Sequence, residues 1–313
     1  MVTHSNAGRR SRFLALVIMG ALAVGCAAAP SLGQTALKSA TATAAPDWAR
    51  LVAPYAYDMH KKPVVTVEER ANARAYLLHI EFTGPDGDKV TGLYARPKAA
   101  GVYPCVLMLH GWTSKKDDMA LWIGPSIVDQ GMSFLALDAP KHGERRAADG
   151  KLDFTTMWRG ITIQGVRDYR LAIPWLVSRK DVDARHIGLL GYSMGAMMGA
   201  IFTGVDSRVQ AAVLCVGGDL FRNAAVSIPE SMRADSAVIS PSLFIGHISP
   251  RPVLLLNAKR DFLVSGAAST ALFAAAREPK EQRMFESGHI LPTDALVGGV
   301  AWLAKRLKPG ANR

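Results

Sequence analysis

The chain has 313 residues, enough for one large α/β domain, and its 49% apolar and 20% charged content excludes a disordered or low-complexity protein. Its formal net charge is +11, and removing an N-terminal segment that carries Arg9, Arg10 and Arg12 without any acid leaves about +8. The lysines and arginines form no block with interleaved aromatics, so the excess is read as a solvated basic surface and a nucleic-acid partner is not expected.

Residues 1–25 read as an export signal: a basic start, an apolar run from Phe13 to Val24, then small residues. The run is too short for a membrane span. Two processing routes are open. Leu22-Ala23-Val24-Gly25-Cys26 is similar to a bacterial lipobox, which would make Cys26 the lipidated first residue of the mature protein, although Ala23 stands where leucine is usual. The other route is ordinary signal cleavage among the alanines or near Gly33. Either route predicts an exported protein, periplasmic or lipid-anchored to the bacterial envelope, with secretion as the further alternative. Residues 26–46, rich in Ala, Ser and Thr, read as a flexible tether, and residues 47–313 as a single domain.

The spacing then predicts a short helix over 47–57. Two runs rich in β-formers, 75–82 and 89–95, flank Gly84-Pro85-Asp86-Gly87 and predict a hairpin. An apolar strand over 103–109 ends at His110-Gly111-Trp112. A helix is expected over 120–130, a strand over 132–137, a helix over 162–178 and a strand over 187–190. Strands follow at 209–216, 252–257 and 282–285, with helices over 265–277 and 294–307. Apolar strands alternating with helices predict an α/β fold with a mostly parallel sheet covered on both faces, and such sheets bind ligands at the carboxyl ends of their strands. The connection 220–249 is long enough to form a cap.

Gly191-Tyr192-Ser193-Met194-Gly195 lies between the strand 187–190 and the helical run 196–202. A G-x-S-x-G pentapeptide at a strand-to-helix junction is a nucleophile elbow, a strained turn that exposes its serine above the sheet. Downstream, Asp261 follows an apolar strand and a short polar turn, and His289 follows a short strand and precedes the last helix. Serine is a poor nucleophile at neutral pH, so a base and a group that orients the base are what this chemistry needs. Asp219 and Asp235 are further carboxylates after the strand 209–216, and the resemblance described below makes Asp219 a rival for the acid. Asp138-Ala139-Pro140-Lys141-His142-Gly143-Glu144 follows the strand 132–137 and is similar to a turn that the resemblance described below would place at the rim of the site, and Phe154 and Trp158 stand in an otherwise polar loop.

From about residue 75 to 307 these landmarks resemble the α/β-hydrolase superfamily, in the order Ser, Asp, His. The resemblance implies Ser193 as nucleophile, His289 as base and Asp261 as the residue that orients it. It also implies an oxyanion hole formed by the backbone N–H groups of Trp112 and Met194. The branch it points to is that of dienelactone hydrolases, acetyl xylan esterases and prolyl-oligopeptidase relatives. Dienelactone hydrolases proper use a cysteine nucleophile, and serine at the elbow points away from that reaction. No propeller precedes the hairpin, so ester hydrolysis through an acyl-enzyme is favoured. A small peptidase or amidase and a non-catalytic, envelope-associated binding protein remain as alternatives. Cys105 and Cys215 sit in apolar runs and are expected to be buried free thiols, with a disulfide between them as the alternative for which the spacing gives no signal. No metal-ligand spacing or nucleotide fingerprint is present, so no cofactor is expected.

Overall fold

The computed structural model describes residues 47–58, 61–221 and 236–308. Residues 1–46, expected to be an export signal and a tether, Asp235 and the middle of the 220–249 connection lie outside them. The domain opens with a short helix, α1 (Trp48–Val52), capped by the Asp47 side chain, which accepts from the Ala49 N–H.

Among the described residues nine strands then form one sheet: β1 (Thr66–Arg70), β2 (Ala75–Thr83), β3 (Lys89–Pro97), β4 (Tyr103–Leu109), β5 (Ser133–Leu137), β6 (Val182–Tyr192), β7 (Val209–Cys215), β8 (Val253–Ala258) and β9 (Lys280–Phe285). Their order is β1-β2-β3-β5-β4-β6-β7-β8-β9. The β1, β2 and β3 strands pair antiparallel and join β5 antiparallel, while β5, β4, β6, β7, β8 and β9 run parallel. This is the mostly parallel α/β sheet that the alternation of apolar strands and helices predicts, and it is the α/β-hydrolase architecture that the resemblance implies. Parallel neighbours need crossovers, and the helices that supply them cover both faces.

In β4, Leu107 and Leu109 face one core with Leu189, Met198 and Phe202, whereas Val106 and Met108 face the other with Leu190, Val300 and Leu303. The period-two alternation of a strand thus serves two apolar layers at once, and each fully buried Leu or Met contributes about 1.5–3 kcal/mol. Cys105 and Cys215 are buried free thiols, and burial pushes that of Cys105 up to about 12.

The helix expected over 120–130 is two helices, α2 (Lys116–Trp122) and α3 (Gly124–Asp129). Pro125, near the start of α3, has no N–H to continue a hydrogen-bond ladder, so the chain breaks at Ile123. The helix expected from 162 begins earlier, as α4 (Phe154–Ser178). Asp153 caps it by accepting from the Thr155 N–H at 2.8 Å, so Phe154 and Trp158 are helical residues and Trp158 is buried. The remaining helices among the described residues are α5 (Met194–Val205), α6 (Gly266–Ala275) and α7 (Thr293–Leu307). The described part of the long connection after β7 includes three 3-10 turns within Ser236–His247.

Candidate active site

β6 delivers the elbow between its two parallel neighbours β4 and β7. Ser193 adopts φ 53° and ψ −114°, a region that a residue with a side chain enters only when its surroundings hold it there. Its N–H donates to the Cys215 carbonyl at 2.8 Å, and its carbonyl accepts the first hydrogen bonds of α5 from Ala196 and Met197. Both flanking glycines are dictated by space. A Cβ on Gly191 would stand 2.2 Å from the Gly195 carbonyl oxygen, and one on Gly195 would stand 2.0 Å from that of Leu109. No side chain fits either gap.

Ser193, His289 and Asp261 meet. The Ser193 hydroxyl is 2.9 Å from His289 Nε2, and His289 Nδ1 is 2.8 Å from Asp261 Oδ2. With N–H on Nδ1, the ring donates to the carboxylate and presents a lone pair to the serine. Asp261 is itself held, since its Oδ1 accepts from the Leu263 and Val264 N–H groups, each at 2.9 Å. Tyr192, which the pentapeptide treats as a variable position, clamps the histidine loop: its hydroxyl donates to the His289 carbonyl at 2.8 Å and accepts from the Leu291 N–H at 3.0 Å. The two residues stand 97 positions apart in the chain, and no local pattern announces the contact.

The loop after β4 lies against the serine, for a Cβ on Gly111 would be 3.6 Å from that of Ser193. The peptide between Gly111 and Trp112 has its carbonyl tied down by His110 Nδ1–H at 2.8 Å and the Ser114 N–H at 3.1 Å. The N–H of Trp112, on the opposite side of that planar group, is thereby directed away from those two donors. His110 Nε2 accepts from the Ala139 N–H at 2.9 Å, which keeps the ring neutral with its proton on Nδ1. Burial and the neighbouring His142 push its pKa down to about 4. Met194 opens α5, and its N–H precedes the first hydrogen bond of that helix. The N–H groups of Trp112 and Met194 are both without an acceptor among the described residues.

His142 does not approach the serine chain. Its Nδ1 faces the Pro140 carbonyl at 2.8 Å and its Nε2 the carbonyl of Trp112, and burial lowers its pKa. Its turn is organised by Asp138, fully buried, which accepts from Thr91 Oγ1, the Lys116 and Glu144 N–H groups, and Lys116 Nζ at 2.9 Å. Burial alone would raise the Asp138 pKa, but hydrogen bonds from Lys116 hold it below the usual carboxylate range. Gly143 is required here, because φ is 52° and a Cβ would fall 2.0 Å from Asp138 Oδ1. The motif 138–144 shows a turn in sequence, yet nothing in it reveals that Lys116 would be buried against it.

Asp219, the rival acid, accepts from the Phe221 N–H at 2.9 Å, the Ser242 N–H at 3.1 Å and the hydroxyls of Ser240 and Ser242. It organises the connection between β7 and β8, while His289 engages Asp261. Among the described residues, one cluster brings metal-binding groups within 4.8 Å of one another: His79, Glu81 and Glu144. Lys116 Nζ stands 2.6 Å from Glu144 and Lys89 Nζ 3.1 Å from Glu81, so lysines already neutralise both carboxylates.

Residues 90–283 match the family model described as the dienelactone hydrolase family. The chain belongs to that family. The matched stretch covers the loop after β4, the elbow and Asp261 and ends before His289. This dienelactone hydrolase family member is 25% identical over 270 residues to Esterase YjfP of Escherichia coli (strain K12), over 78% of this chain and all of the relative. It is 26% identical, at a TM-score of 0.65, to a cold-adapted esterase from an Arctic intertidal metagenomic library, covering 77% of this chain and 98% of that one. An acetyl xylan esterase from Paenibacillus sp. R4 shares the fold at a TM-score of 0.68 and 19% identity, over 83% and 93% of the two chains.

Proposed function

We propose that this protein hydrolyses carboxylic esters with Ser193 as nucleophile, His289 as general base and acid, and Asp261 as the group that orients His289. The observation that carries the reading is the continuous chain from Ser193 Oγ through both ring nitrogens of His289 to a carboxylate fixed by two backbone N–H groups. In the first half-reaction His289 Nε2 takes the hydroxyl proton as Ser193 Oγ attacks the ester carbonyl. The negative charge that develops on the carbonyl oxygen is met by the N–H groups of Trp112 and Met194, and one such donor is worth about 2.7–4 kcal/mol. The imidazolium gives its proton to the leaving alcohol. Water, deprotonated by His289, then cleaves the acyl-enzyme and frees Ser193.

Esterases among the relatives favour an ester substrate over an amide, the alternative that the same three residues would also serve. The test is turnover of p-nitrophenyl esters from acetyl to long-chain acyl by the parent and by Ser193→Ala. Turnover that Ser193→Ala abolishes without changing the melting curve is expected; turnover that survives the substitution sinks the assignment. The proposed export signal and lipid anchor predict that labelled fatty acid is incorporated in a bacterial host and that Cys26→Ala abolishes it. Unlabelled mature protein would leave ordinary signal cleavage as the route.

A further inference from the structure

The ring of Trp158 joins the two loops that flank the nucleophile. Its centroid lies 5.7 Å from that of Trp112 and 5.8 Å from that of Phe221, with Phe154 at 4.6 Å. Trp112 follows β4 and Phe221 follows β7, the two strands on either side of β6, which ends at Ser193. Strands spaced about 4.8 Å apart put β4 and β7 about 10 Å from each other, and the two ring contacts span that gap. Trp158 therefore crosses the carboxyl edge of the sheet beside the nucleophile, as part of an aromatic wall.

Trp158 of this wall and Thr162 beside it on α4 carry buried polar groups without partners among the described residues. Trp158 is only 2% exposed, and its indole N–H has no hydrogen-bond partner among the described residues. One helical turn further along α4, Thr162 is 1% exposed and its hydroxyl is also without a partner. Residues four apart share one helix face. The residue one turn beyond, Gly165, abuts Pro140 of the rim turn and Met198 of the helix that starts at the nucleophile. Burying a polar group unpaired is costly, and an indole N–H, which only donates, is relieved by an acceptor and by nothing else.

We propose that Trp158 and Thr162 form a specificity subsite for an oxygen atom of the substrate, an ether, hydroxyl or carbonyl oxygen lying beyond the scissile ester group. The preferred substrates are then oxygen-bearing esters, discriminated from alkyl esters of the same shape. The inference rests on the ester-hydrolase reading and deepens it. The indole N–H and the Thr162 hydroxyl donate to the substrate oxygen; a methylene in its place leaves both groups buried and unpaired.

The experiment uses the full chain and two shape-matched pairs. On the acyl side these are p-nitrophenyl methoxyacetate and p-nitrophenyl butyrate; on the alcohol side, 2-methoxyethyl acetate and butyl acetate. Each kcat/KM is divided by the ester's own alkaline hydrolysis rate to remove intrinsic reactivity. Trp158→Phe keeps an aromatic wall and deletes the donor, and Thr162→Val deletes the hydroxyl at similar volume. The parent is expected to favour the oxygenated member of one pair by about tenfold, and Trp158→Phe to remove most of that preference. If Trp158→Phe does not fold, a several-fold loss of preference in Thr162→Val supports the subsite and an unchanged preference overturns it. Equal rates within both pairs for the parent, or a preference that Trp158→Phe leaves intact, overturn the subsite alone. No turnover of any of the four esters, or turnover that persists in Ser193→Ala, overturns the hydrolase reading and the subsite with it.

Discussion

Asp261→Asn changes one atom of the proposed machinery, and the structure dictates which way the new amide turns. Oδ1 accepts two backbone N–H groups at 2.9 Å, from Leu263 and Val264, so the asparagine carbonyl oxygen stays there. Its NH2 then faces His289 Nδ1, which now lies 2.8 Å from Oδ2. An NH2 group only donates, so Nδ1 must accept and the ring proton moves to Nε2, the nitrogen 2.9 Å from Ser193 Oγ. The imidazole then offers the hydroxyl an N–H in place of a lone pair. A wrong tautomer of this kind lowers kcat by about 10⁴, or about 5.5 kcal/mol of transition-state stabilisation. The assay is kcat for p-nitrophenyl acetate beside a thermal melt. The melting temperature should fall little, because both backbone hydrogen bonds persist. Folded Asp261→Asn protein with kcat within tenfold of the parent would refute the reasoning. Asp219→Asn supplies the contrast: its loss weakens the bonds to Ser240 and Ser242, so the melting temperature should drop while kcat of the folded fraction stays within a few-fold.

Lys116→Met should cost about 3–5 kcal/mol in a denaturant melt, since it strands the fully buried Asp138 carboxylate. The double variant Lys116→Met/Asp138→Asn should recover part of that loss, and a double variant no more stable than the single one would contradict the pairing. Stability should also fall with pH. His110 is held neutral in the fold with a pKa near 4, while the unfolded ring titrates near 6.5. The unfolded state therefore binds more protons between those values, and stability present above pH 6.5 is lost as the pH falls through the window, by up to about 3 kcal/mol. Burial lowers the pKa of His142 in the same direction. His110→Gln, which cannot charge, should show a flatter profile of melting temperature against pH; an equally steep one would place the effect elsewhere.

The α/β order was readable because each central strand is an unbroken apolar run, as a strand buried on both faces must be. Ser193 could be singled out because G-x-S-x-G at a strand-to-helix junction marks a nucleophile elbow, and Asp261 and His289 because they follow it in the order that the resembled family implies. The edge strand β1, Thr66–Arg70, was not, since its exposed sequence TVEER shows no apolar alternation. The start of α4 was missed because one capping aspartate, Asp153, draws a polar stretch into a helix whose apolar face is sparse there. The clamp of Tyr192 on the histidine loop and the burial of Lys116 against Asp138 arise from contacts distant in sequence. Periodicity and composition carry no information about such pairs, which form only once the sheet has brought their loops to one edge.

The acyl-enzyme is the step on which the proposed chemistry depends. Acid-quenching p-nitrophenyl acetate turnover in the first seconds, digesting the protein and weighing the peptide that contains Ser193 reads it out. The mechanism predicts an acetyl adduct on Ser193 that appears with the first burst of p-nitrophenol and accumulates in His289→Gln if acylation still proceeds. Full turnover with an unmodified Ser193 peptide at every time point, or an adduct on another residue that disappears at the catalytic rate, would contradict it.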